Sequence, residues 1–171
     1  MSPRTPGLML SLALAAMTAA CSTVAPEPAT PVVVTAGASS PQPIAGYDWH
    51  LTTHDGIARL AYGIAESDEL KLAFECGAGS GTLQVLATAP SGTRLILLES
   101  GGDTERLTAR SEPSELGEGD LLTAESPADA PVFQRFRRLG WLAQWIGDRR
   151  EAYAPQPGSA ADVDRFFALC D

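Results

Sequence analysis

Basic side chains are scarce in this chain: 12 Lys and Arg stand against 21 Asp and Glu, a formal charge of −9. A deficit of that sign excludes the electrostatic footprint of a nucleic-acid binder or of a protein drawn to an anionic lipid surface. Solubility accounts for the acidity in the first instance, and a basic partner is the sharper reading. Histidine occurs twice and cysteine three times, without a Cys-x-x-Cys spacing, so thiol redox motifs and zinc ribbons are not encoded. There is no Gly-x-Ser-x-Gly elbow. Gly77-Ala78-Gly79-Ser80-Gly81 has the glycines of a phosphate loop, but neither its lysine nor a following helix, and it sits between expected strands. No apolar run reaches the roughly 20 residues of a membrane span.

What the N-terminus does have is a short apolar stretch, residues 8–17, after one basic residue, Arg4, and before Thr18-Ala19-Ala20-Cys21. The lengths are those of an export leader. The arrangement resembles a bacterial lipoprotein signal, with Thr18 where that pattern usually has leucine. The resemblance implies cleavage before Cys21, a thioether-linked diacylglycerol on its sulfur, and an added N-acyl chain such as palmitate. Two or more acyl chains anchor stably, whereas one is marginal. Ser22 is not the aspartate associated with retention in the inner membrane, so the resemblance favours the periplasmic face of the outer membrane. Ordinary secretion, giving a soluble periplasmic protein, and an uncleaved anchor are the alternatives.

Removing residues 1–20 leaves 151 residues with 11 basic and 21 acidic groups, a formal −10. That length supports one domain with a real core. Residues 21–45 read as a tether: Pro26, Pro28, Pro31, Pro41 and Pro43 alternate with Ala, Thr, Ser and Gly, and only Val32-Val33-Val34 interrupts them. The globular domain is expected over 46–171. With Cys21 assigned to lipid, Cys76 and Cys170 are the one possible intramolecular pair. An even count in a small exported domain reads as a disulfide, here closing a loop worth roughly 4–5 kcal/mol in the chain-entropy model.

Period-2 alternation predicts strands at 47–52, 57–63, 70–76, 82–87 and 94–99, with weaker ones at 104–109 and 120–124. Leu70, Leu72, Phe74 and Cys76 are expected to face inward, and Lys71 and Glu75 outward. Asp55-Gly56 is a hairpin-turn dipeptide. From Pro131, Val132, Phe133, Phe136 and Leu139 recur at helical spacing until Gly140. Residues 141–146 and 149–154 read as a hairpin around Gly147-Asp148. A last helix begins at Ser159, with Asp162 completing a capping-box-like start, and Val163, Phe166, Phe167 and Cys170 share one face. The expected fold is mainly β (α+β): a β-sandwich or barrel-like sheet with a short helix, a hairpin and a C-terminal helix pinned by the disulfide.

The segments Leu60-Ala61-Tyr62-Gly63, Ser67-Asp68-Glu69-Leu70, Phe74-Glu75-Cys76 and Arg165-Phe166-Phe167-Ala168-Leu169-Cys170 resemble a group of small exported proteobacterial proteins, usually described as hypothetical proteins or lipoproteins. The resemblance spans roughly 47–171 and includes both cysteines. It implies a topology and an address, and it assigns no catalytic residues.

Chemistry-bearing constellations are few. His50 and His54 with Asp48 and Asp55 are the one metal candidate; on a strand, residues four apart lie roughly 13 Å from each other at about 3.3 Å per residue, so two surface imidazoles are expected. Glu66, Asp68 and Glu69, and Glu112, Glu115, Glu118 and Asp120, read as turn and loop carboxylates. Arg135, Arg137, Arg138, Arg149 and Arg150 form the most one-sided set, expected to pair with the acidic 99–129 segment or to dock an anionic partner. Trp141, Trp145 and Tyr153 read as sheet aromatics. The functional expectation is a lipid-anchored, non-enzymatic envelope module, without cofactor or metal. Its partners would be the membrane through Cys21 and an envelope protein or peptidoglycan, with no nucleic acid. An alternative is a periplasmic inhibitor of a cell-wall hydrolase, comparable to lipid-anchored lysozyme inhibitors, using loop 77–81 or 112–120.

Overall fold

Alternating side chains build the first half of the chain as a run of antiparallel hairpins. In a computed structural model that describes residues 40–115 and 118–171, β1 (Asp48–His54) turns at Asp55-Gly56 into β2 (Ile57–Gly63), followed by β3 (Leu70–Gly77) and β4 (Thr82–Ala89). Both turn residues have positive φ, 48° and 79°, as the right-handed twist of a two-residue hairpin demands. The expected leader, Cys21 and the tether as far as residue 39 lie outside the described residues.

After β4 the chain moves to a second sheet with β5 (Leu95–Ser100) and β6 (Asp103–Thr108). It returns through β7 (Arg110–Pro113) and β8 (Asp120–Pro127), then runs through α1 (Pro131–Leu139), β9 (Leu142–Ile146), β10 (Arg149–Tyr153) and α2 (Ala160–Cys170). One sheet has the order β1-β2-β3-β4-β8-β7, the other β10-β9-β5-β6, and every pairing is antiparallel. The expected mainly β architecture with two helices is what forms. β7 was not expected as a strand. Arg110-Ser111-Glu112-Pro113 has no apolar alternation, and it pairs only with β8 as a sheet edge, where a proline and charges are tolerated.

The core lies between the inner face of the six-stranded sheet, the four-stranded sheet and the two helices. Rows Trp49–Tyr62–Leu72 and Leu60–Phe74–Val85 run across the strands. Phe133 and Phe136 of α1 and Phe166 and Phe167 of α2 close on them, with ring centroids 5.0–6.4 Å apart. All seven aromatics are shut off from solvent, each burial stabilising by about 1.5–3 kcal/mol. The Trp49 indole donates to the Tyr153 carbonyl, and the Tyr62 hydroxyl to that of Ala154, so the buried polar ends are satisfied by β10 and the residue after it. Burial raises the titration of both Tyr62 and Tyr153. Ordered packing reaches back to Ile44, two residues before the expected boundary at 46: its N–H donates to the Tyr62 hydroxyl and it packs on the core.

Cys76 and Cys170 are bonded, with Cα atoms 5.7 Å apart, and tie the end of α2 to β3. Four details depart from expectation. The β2–β3 register shifts at Tyr62/Gly63 and leaves Lys71 without a partner across the ladder. This bulge turns Lys71 over the Tyr47 ring and into a 2.6 Å ion pair with Glu151 of β10, instead of outward. Ser159 makes no side-chain cap; its hydroxyl donates to Asp48, and Asp162 pairs with Arg165. Leu70, expected to face inward, is carried by the β2–β3 bulge to the outer side, opposite Gly63. Leu139, expected inside, is 40% exposed because α1 ends there at the left-handed Gly140.

Candidate functional site

Two outward-facing features carry chemistry, one on each sheet. On the four-stranded sheet, Arg106, Leu97, Trp145 and Arg150 lie in one cross-strand row, and Glu99 sits in the next. Glu99 is 9% exposed. Its carboxylate accepts from the Trp145 indole at 2.8 Å and from the Arg150 guanidinium at 2.8 and 2.9 Å. Arg150 lies over the Trp141 ring, 5.4 Å from its centroid. The Arg150 hydrogen bonds lead in holding the Glu99 carboxyl below the usual range, against the opposing cost of burial. Trp141 is buried and covered by Arg150, and the Trp145 N–H is held by Glu99, as suits sheet aromatics.

On the six-stranded sheet, the outer side of β1 and β2 and the segment 63–70 enclose a groove of about 480 Å³, within the size range of ligand sites. Gly63 makes the segment's fold possible. A Cβ there would meet the Glu69 carbonyl oxygen at 2.5 Å, and the same carbonyl accepts from the Ile64 N–H at 3.1 Å. The loop is closed further by the Glu69 N–H donating to the Ser67 hydroxyl and by the Tyr47 hydroxyl donating to Glu69. Glu66 holds φ at 55°, a left-handed conformation that costs a non-glycine residue about 1–2 kcal/mol. Ala61, Ile64 and Leu70 give the groove apolar wall, with Ile64 37% exposed. His50 lines it too. The Nε2 of His50 is shut off from solvent and has no hydrogen-bond partner, the one such side-chain atom among the described residues.

The structure separates most of the constellations drawn from sequence. His50 and His54 share the outer side of β1 but do not converge. His54 is exposed beside Asp55, and no group of three metal-ligating side chains forms among the described residues. The arginines do not form one face, and the expected pairing with the acidic 99–129 segment forms at Arg135 and Arg150. Arg135 donates to the Ser100 carbonyl and pairs with Asp103, Arg137 pairs with Asp171, and Arg150 with Glu99. Asp120 is absorbed structurally: hydrogen bonds, first from Ser111 and then from the Gly92 N–H, hold its carboxyl below the usual range. Loop 77–81 is pinned to the end of α2, Gly79 and Gly81 donating to the Leu169 and Cys170 carbonyls. Glu66, Asp68 and Glu69 do gather at the groove. Their Ser-Asp turn chemistry was legible, but their place beside Ala61 and His50 depends on the close approach at Gly63, which has no signature in the sequence. No family model, curated protein or solved structure matches this chain.

Proposed function

We propose that this protein is an exported, lipid-anchored binding module of the cell envelope, held at the membrane by acylated Cys21 and acting without catalysis on a partner in the periplasm. The observation that supports it most is the Cys76–Cys170 disulfide. Such a bond persists in an oxidising compartment and is rare in a reducing one, and the leader-like residues 1–20 point to the same address. A lipid on Cys21 would hold the domain at the membrane through the Pro-rich residues between, leaving the groove at 61–70 for a partner.

Non-reducing mass spectrometry of the protein extracted from membranes tests the reading. The expected species begins at Cys21, carries two or three acyl chains, and has Cys76 joined to Cys170. An unmodified N-terminus would move the protein to the soluble periplasm. Free thiols in the cellular protein would overturn export altogether.

A further inference from the structure

We infer that the groove between β1, β2 and residues 63–70 receives a lysine or arginine side chain presented by a basic polypeptide. The inference rests on the reading of the protein as a binding module and assigns its site. Three features of the groove define the guest. Its wall is apolar along Ala61, Ile64 and Leu70, which suits the alkyl stem that Lys and Arg bury while keeping the charge at a rim. Its rim is acidic. Glu66 and Asp68 enter no ion pair among the described residues, and Glu69 takes only the Tyr47 hydroxyl. The cation that also lines the groove, Arg59, is already neutralised by Glu75 at 2.8 Å and offers little opposition. The third feature is His50, whose Nε2 lacks a partner. That nitrogen is shut off from solvent, so it meets a guanidinium or ammonium in the groove only once the imidazole has turned about χ2.

The location argues for a polypeptide rather than a free amine. β1 is the edge of its sheet, paired only with β2, and the groove opens beside it through His50 and Thr52. An extended segment lying along that edge adds main-chain hydrogen bonds and places alternate side chains over the outer face. The protein's overall acidity attracts such a partner from a distance.

The test uses the oxidised full chain in detergent and three capped octapeptides, alternating alanine with lysine, glutamine or glutamate, followed by amide and imidazole NMR shifts. The lysine peptide is expected to shift His50, Thr52, Ala61 and residues 64–70, with the glutamine and glutamate peptides inert. Glu66→Gln with Asp68→Asn should weaken it about fivefold, while Glu112→Gln with Glu118→Gln, which removes the same charge elsewhere, leaves affinity unchanged. Shifts spread evenly over the acidic surface, equal losses from the two double variants, or binding of the glutamate peptide would each overturn the assignment. Membrane fractionation of Cys21→Ser reports the anchored reading separately. A chain that needs Cys21 for the membrane but ignores the lysine peptide loses this site and keeps its address.

Discussion

The outer faces of the two sheets solve opposite problems. On the four-stranded sheet a carboxylate is buried and fully answered: Glu99 holds Trp145 and Arg150 by three short hydrogen bonds, and Arg150 in turn covers Trp141. On the six-stranded sheet some polar groups around the groove are left unanswered: Glu66, in a strained backbone, enters no ion pair among the described residues, and His50 has an orphaned nitrogen. A satisfied network rigidifies the surface it sits on, whereas unsatisfied polar atoms beside a concave apolar wall mark a place where something else completes the bonding. On the reading proposed above, the difference separates a structural staple from a binding site, although the sequence shows both as charges near aromatics.

The largest effect that bears on this contrast comes from beneath the groove. Replacing Cys76 and Cys170 together by serine should cost about 2–5 kcal/mol in chemical denaturation, because α2 covers the inner side of β1, β2 and β3 that the groove rests on. A loss below about 1 kcal/mol would show that the six-stranded sheet stands without its helix. Next is the staple itself. Glu99→Ala is expected to lower stability by about 1–2 kcal/mol, since it removes three hydrogen bonds and leaves the Trp145 N–H unpaired, while Arg150, an exposed residue, returns to water. Unchanged stability would make the two faces equivalent.

The staple should also be acid-sensitive. The Glu99 carboxyl is held below its ordinary value in the folded state, so its contribution is complete above the unfolded carboxylate range near pH 4 and is lost as pH falls through the lower folded value. The stability gap between the wild type and Glu99→Gln is therefore expected to narrow on acidification from pH 5 to about pH 2–3. A gap that stays constant over that range would remove the charge from the account.

The groove should behave in the opposite way. His50→Leu is expected to hold stability within about 1 kcal/mol or raise it, because it removes an unsatisfied buried atom. Glu66→Gly should stabilise by at most about 1 kcal/mol by relieving its positive φ. Both should impair binding of the lysine peptide. A large destabilisation from either would make the groove residues structural, like those of the staple.

Much of this architecture is legible from short patterns. Alternation at 70–76, Asp55-Gly56, the Pro131 start and Gly140 stop of α1, and the Val163/Phe166/Phe167/Cys170 face of α2 all encode their local structure, because each depends on neighbours within one or two turns of chain. Cys76 and Cys170 were identifiable as a pair once the resemblance to a lipoprotein signal set Cys21 aside. Pairing of the arginines with the acidic 99–129 segment was legible and holds for Arg135 with Asp103 and Arg150 with Glu99, but the individual partners, and Asp171 for Arg137, were not, since they come from other elements. Lys71 misled for the same kind of reason: one residue of β-bulge, set by register with β2, reverses which side a residue faces.

The sequence by itself determined the element types, the inward aromatic rows and the oxidisable cysteine pair, because hydrophobic periodicity and backbone preferences act locally. Only the tertiary structure decided which polar groups meet. Glu99 is quenched because β9 and β10 deliver Trp145 and Arg150 beside β5. His50 Nε2 is left without a partner on the outer side of β1, beside the segment that folds back at Gly63.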